Sequence, residues 1–147
     1  MVLSPLLQAR KTVMHTHVPL PVLQAFLVCE EIAKDPTTGG WMLRIPPPAM
    51  IPSHYPATLS ISVFIQLRDM RGPCRVGLQL HDPADEVIWR EIFPEEIVCP
   101  NPLGVHYHIV QKFPLRFPKP GHYVLGLILN GEEVSRHHWE LMRSPEK

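Results

Sequence analysis

Proline constrains this chain more than any other residue. Eighteen prolines stand in 147 residues, about 12% against a usual ~5%, and each removes a backbone donor and fixes φ near −65°. That density argues against long helices and for many short strands joined by rigid turns. Five of the prolines fall within residues 46–56, a stretch that is neither regular sheet nor helix. It reads as a crossing loop, partly polyproline II, carrying the chain from one sheet or edge to another. A second irregular crossing is expected over residues 94–104, with Pro94, Pro100, Pro102 and Gly104.

Between the crossings, alternation at period two marks strands. Residues 20–32 carry apolar side chains on both parities from Ala25 to Cys29, as a strand buried on both sides would; a short helix is the alternative, since Leu, Ala and Glu also propagate helices. The Asp-Pro-Thr-Thr-Gly-Gly of residues 35–40 is a turn, and Trp41 to Ile45 is a short return strand that Pro46 ends. From Thr58 to Arg68, Leu59, Ile61, Val63, Ile65 and Leu67 share one face, while Phe64 breaks the polar one. Val76, Leu78 and Leu80 alternate in the next segment, and these two segments are expected to pair antiparallel. Asp82 to Asp85 carries a type I turn signature, after which Val87 to Phe93 returns as a strand. Val105 to Leu115 is extended, with Pro114, Pro118 and Pro120 confining its later half to an edge or a loop.

Gly121 to Leu141 is the clearest hairpin. Tyr123, Leu125, Leu127 and Leu129 alternate, and Asn130-Gly131 tolerates the positive φ of a tight reversal. A regular two-residue loop pairs Leu127 with Val134, turns Arg136 and His138 toward the core and turns Trp139 and Leu141 away. Desolvating an arginine and a histidine is costly. One extra residue between Ser135 and His138, a β-bulge, is therefore expected to switch parity and return Trp139 and Leu141 to the core.

About eight strands clustered as hairpins around two crossings give an all-β chain. The fold expected is a two-sheet antiparallel β-sandwich, immunoglobulin-like or of related Greek-key order, with a closed barrel as the alternative. Residues 1–20 form an N-terminal extension without sustained period, and residues 21–143 form the β-sandwich domain. A protein beginning at Met14 should then melt close to the full chain.

A resemblance rests on particular stretches. These are Ala-Phe-Leu-Val-Cys-Glu-Glu-Ile at 25–32, Tyr-Pro at 55–56, and Leu-Ser-Ile-Ser-Val-Phe-Ile-Gln-Leu at 59–67. Val-Gly-Leu-Gln-Leu-His-Asp-Pro at 76–83 and the Pro-Gly-His-Tyr to Asn-Gly-Glu hairpin at 120–132 belong to the same pattern. Together they resemble a family of small bacterial all-β proteins of unknown function, over roughly residues 23–142. The resemblance implies a β-sandwich and carries no catalytic residue.

Fourteen basic residues balance fourteen acidic ones, and neither sign collects into a run. Nothing in that balance favours a phosphate backbone or an anionic membrane, so nucleic acid and membrane are excluded as partners and a protein partner is the expectation. No apolar run approaches the ~20 residues of a membrane span. The charges of the amino terminus follow a short, proline-interrupted apolar patch, the wrong order for a signal peptide. Three cysteines, Cys29, Cys74 and Cys99, are too few and too widely spaced for a disulfide framework or a metal knuckle. Reduced thiols in a cytoplasm are expected.

Nine histidines are the compositional oddity. On a strand, His106 and His108 aim two imidazoles at one face, as zinc enzymes and cupins use, and His122, His137 or His138 would have to supply a third ligand. A cupin places a carboxylate soon after its His-x-His, whereas Ile109-Val-Gln-Lys-Phe follows here, so histidines on an edge strand are the plainer reading. His15 and His17 form a second pair within the extension. Cys29 beside Glu30 lacks a Cys-His-Asn context and reads as a buried inert thiol. Asp82, Asp85 and Glu86, with Asp35 the other candidate of that type, would suit calcium only with further oxygen ligands; a solvated turn explains them. Trp41, Trp89 and Trp139 read as core or sheet-face residues. No catalytic residue, cofactor or metal is assigned. The expectation is a non-enzymatic β-sandwich module binding protein or ligand through its proline-rich loops or an open edge strand. The alternative is a metal-dependent enzyme centred on His106 and His108.

Overall fold

The computed structural model of the chain describes residues 19–145. What was expected of residues 1–18, including His15, His17 and the Met14 start, lies outside the described residues.

The described chain is all-β, with ten strands: β1 (Val22–Cys29), β2 (Glu31–Lys34), β3 (Trp41–Arg44), β4 (Ala49–Met50), β5 (Ala57–Arg68), β6 (Cys74–His81), β7 (Val87–Ile97), β8 (Val105–Phe117), β9 (Gly121–Leu129) and β10 (Glu132–Leu141). They form three sheets, not the two expected: β1-β5-β8, β4-β10-β9-β6-β7 and the two-stranded β2-β3. Every pairing is antiparallel except β4 on β10, which is parallel. No helix among the described residues is long and apolar enough to cross a membrane.

The third sheet accounts for Phe64. Glu30 interrupts the segment expected to run as one strand, so β1 ends at Cys29 and β2 turns off to pair with β3. Ile32, Cys29 and Phe64 are buried together, with Trp41, Leu43 and Ile109 packed against them. Phe64 is apolar on an otherwise polar face because this small hairpin, not water, lies over it.

The expected pairing of β5 with β6 is corrected. β5 pairs with β1 and β8, whereas β6 pairs with β7 and β9. The two strands belong to different sheets and meet through their side chains: Ile61, Val63, Ile65 and Leu67 share one buried cluster with Val76, Leu78 and Leu80. Alternation reports which face is buried, not which strand lies alongside. Phe117 closes one part of this core, edge-on to Tyr123 at 4.9 Å and to Trp139 at 5.6 Å between ring centroids.

The second crossing is shorter than expected. β7 runs through Pro94 to Ile97, because it is the outer strand of its sheet and its register shifts opposite Arg75 and Gly77. Edges and bulges are where a strand tolerates proline. β8 likewise keeps Pro114 in register, opposite Ser60, as the outer strand beside β5.

In the last hairpin the bulge is present but earlier than expected. The register shifts between Glu133 and Ser135, so Val134 is the unpaired residue, and Leu127 meets Ser135 while Tyr123 meets Trp139. Trp139 and Leu141 are each 1% exposed. With parity switched by Val134, His138 points outward and His137 lies half-buried on the inner side.

Ile65 is fully buried at the centre of β5. Its truncation to alanine should lower unfolding free energy by about 2–5 kcal/mol, read by urea denaturation; a loss under about 0.5 kcal/mol would place that face in solvent.

Candidate functional site

The proline-rich loop and the segment after β10 flank an open recess of about 310 Å³, lined by Pro52, Ser53, His54, Tyr55, Arg143, Ser144 and Pro145. Backbone pairing sets the walls. Glu140 N donates to Pro48 O at 2.9 Å and Met142 N to Met50 O at 2.8 Å, as β4 runs parallel to β10. Tyr55 then donates its hydroxyl to Met142 O at 2.8 Å, closing the loop onto the strand from the other side. Inside, Ser53 Oγ lies 3.0 Å from His54 Nδ1. The lining combines a guanidinium, an imidazole and three hydroxyls, of which Tyr55's is spent on Met142 O, and includes no carboxylate side chain among the described residues. Chemically it is a donor-rich, cationic recess.

The strongest electrostatic cluster lies on the outer face of the five-stranded sheet. Glu133, on β10, crosses β9 to reach β6: its carboxylate accepts from Gln79 Nε2 at 2.7 Å, His81 Nε2 at 2.8 Å and Arg136 Nε at 2.6 Å. The strand it crosses presents Gly126, where any Cβ would collide with that carboxylate. Burial pushes the Glu133 carboxyl up, but hydrogen bonds from Gln79, His81 and Arg136 outweigh it and hold the group down at about 2. His81 is 6% exposed. With Nε2 donating, its Nδ1 has no hydrogen-bond partner and lies 3.5 Å from Asp85 Oδ1. Its geometry, a carboxylate on β10 held by donors on β6 and β10, is that of a staple between strands.

The sequence candidates are dispersed. His106 and His108 stack at 6.5 Å on β8, half-buried, opposite Leu67 and Ile65. Burial, and next the neighbouring His106, press the His108 pKa down, against a smaller upward pull from Glu95. Among the described residues no three of His, Cys, Asp and Glu are grouped to hold a metal ion, so no third ligand joins them. His137 packs edge-on against Trp139 at 5.0 Å; burial, then His138, lower its pKa. His122 and His138 do meet, across β9 and β10, with Nε2 and Nδ1 2.9 Å apart.

The acidic residues cap turns. Asp82 Oδ1 accepts from Ala84 N and Glu86 N, each at 2.9 Å, and Asp35 Oδ1 accepts from Thr37 N at 2.9 Å. Cys29 is buried, and burial raises its pKa; Cys74, likewise buried, is pushed up to about 11. Trp41 packs with Phe64 and Tyr107, and Trp89 stacks on Phe113 at 5.8 Å. Sequence reasoning named the proline-rich loop but neither Arg143 nor Glu133. The signal for Glu133 was a glycine, Gly126, interrupting an apolar strand.

No family model matches the sequence, and no curated protein matches it. Among solved structures the chain is similar to Pseudomonas fluorescens alkylpurine DNA glycosylase AlkC bound to DNA containing an abasic site analog, at 10% identity and a TM-score of 0.43. The match covers 81% of this chain and 30% of that one. The expectation about partners is corrected to none assigned: the matched structure is a DNA complex, and no observation supports a protein partner. Balanced net charge does not by itself describe any one surface. At this TM-score the likeness assigns neither activity nor ligand.

The Glu133 staple should be visible in stability against pH. A carboxyl held below its ordinary value stabilises the fold fully above about pH 4.5 and loses that contribution as pH falls toward about 2. Glu133→Gln should therefore destabilise by on the order of 2–3 kcal/mol near neutrality, with the gap from the parent closing toward pH 2. Urea denaturation across pH 2–7 measures it; a pH-independent gap would refute the assignment.

Proposed function

We propose that the chain is a non-enzymatic binding module that takes a small anion, a phosphate or carboxylate group, in the recess between its proline-rich loop and the segment after β10. The observation that carries this is the lining: Arg143, His54, Ser53 and Ser144, with no acid among the described residues that line it. Guanidinium donors match planar or tetrahedral oxyanions, and charge-assisted hydrogen bonds are about twice as strong as neutral ones. A volume of about 310 Å³ is at the small end of ligand pockets, which suits a small group.

The scaffold we assign is an immunoglobulin-like sandwich, with β2-β3 as an added hairpin. Two features support it. Setting aside β2, β3 and β4, the strand order β1-β5-β8 facing β10-β9-β6-β7 fits the Greek-key pattern of that fold. Tyr123, early in β9, donates its hydroxyl to Lys119 O at 2.7 Å and accepts from Lys119 N at 3.3 Å, the arrangement of a tyrosine corner. Cys29, Cys74 and Cys99 are all unpaired, which supports a reducing compartment.

Amide chemical shifts of Ser53, His54 and Ser144 should move on titration with inorganic phosphate or acetate, and Arg143→Gln should weaken binding roughly tenfold or more, the loss of one charge-assisted contact. Which anion binds more tightly separates the two ligand classes. Unmoved shifts at these residues in millimolar phosphate and acetate would overturn the proposal.

A further inference from the structure

On the outer face of the five-stranded sheet, away from the recess lining, His122 of β9 lies directly opposite Glu140 of β10, and His138 is its diagonal neighbour. Glu140 Oε1 stands 3.3 Å from His122 Nδ1, and His122 Nε2 stands 2.9 Å from His138 Nδ1. The carboxylate can only accept, so His122 carries its proton on Nδ1 and leaves a lone pair on Nε2. That lone pair faces His138. The shared contact then needs one proton, on His138 Nδ1.

We propose that His122 and His138 form a two-nitrogen chelate for a divalent transition metal, Cu(II) by preference. Metal–imidazole bonds of about 2.0–2.1 Å to two nitrogens 2.9 Å apart enclose an angle of about 90°, the cis angle of a tetragonal site. A tetrahedral ion would want the nitrogens about 3.4 Å apart. Copper also leads the divalent first-row affinity order at nitrogen sites. His138 gives up its Nδ1 proton on binding and carries one on Nε2 instead, so the neutral ring changes tautomer without net proton loss. The rings turn slightly so that both lone pairs converge; His122 is 51% exposed in its side chain, and His138 is exposed, which leaves them room. Water fills the other positions, in keeping with the lack of any three-residue metal group among the described residues. Glu140 holds the His122 tautomer from behind, the usual part of a carboxylate next to a metal-bound imidazole. The nearby Arg136 charge is already taken by Glu133, at 2.6 Å.

Titration of the full chain with copper(II) chloride, followed by calorimetry and electron paramagnetic resonance, tests the site. The parent should bind one copper whose equatorial nitrogens belong to imidazole. His122→Gln and His138→Gln should each weaken that equivalent at least tenfold, with circular dichroism confirming the parent fold. Glu140→Gln should weaken it less, and a His106→Ala/His108→Ala double variant should leave it intact. Parent-like affinity in both single variants would overturn the proposal, as would absence of a nitrogen-bound copper in the parent.

Discussion

Val134 is the residue of β10 that makes no pair, and most of what the last strand contributes depends on it. Without the extra residue, Trp139 and Leu141 would face water, and Arg136 and His138 would face Leu125 and Tyr123. With it, Trp139 meets Phe117 in the core, and every outward residue of β10 from Arg136 to Glu140 joins one polar face. The indole itself is imperfectly served, since Trp139 Nε1 is buried without a hydrogen-bond partner. An unpaired indole donor costs about 1–3 kcal/mol, less than the loss of a large aromatic from the core, about 3–5 kcal/mol. Packing decides the parity, and the polar groups arrange themselves around that decision.

The outer face follows the same logic. Gln79, His81, Val124 and Ile128 point away from the core, yet all are buried. Glu133 folding over Gly126 contributes to this, as does Ile92 lying over Gly77. Glycine at both positions gives up strand propensity for space, which is filled by a carboxylate in one case and an isoleucine in the other. The carboxylate enters that space with three donors around it, which is the condition under which a buried charge stabilises rather than costs.

The all-β class was legible because alternation and proline density agree. Strand positions in the body of the chain were legible too. Which strands lie side by side was not: Ile61 to Leu67 and Val76 to Leu80 carry the same signal whether they pair within a sheet or face each other across a core. The need for a bulge in the last hairpin could be argued from Arg136 and Trp139, but not its place, because Val134 and Ser135 fit either side of the shift. Glu133 was illegible for a different reason. Arg136 is three residues away, but the partners that make it a staple, Gln79 and His81, are 54 and 52 residues away, and local pattern does not show which distant residues meet. The recess was half legible: the proline-rich loop declares itself, whereas Arg143 reaches it only through the pairing of β4 with β10.

That pairing shows how a proline-rich segment can serve a sheet. Proline has no donor but keeps its carbonyl, and the outer edge of β10 offers donors. Pro48 O accepts from Glu140 N and Met50 O from Met142 N, so the loop covers an edge that would otherwise be open to another strand. At the other end of the sheet, Pro94 within β7 and the register shift beside it protect the opposite edge. The first of these solutions also builds the recess. Once residues 48–50 are fixed along β10, the following loop has to turn back beside the strand's end, and Tyr55 bonded to Met142 O sets how far. The spacing of Ser53 and His54 from Arg143 and Ser144 is therefore set by backbone hydrogen bonds and one phenol rather than by the side chains that line the recess.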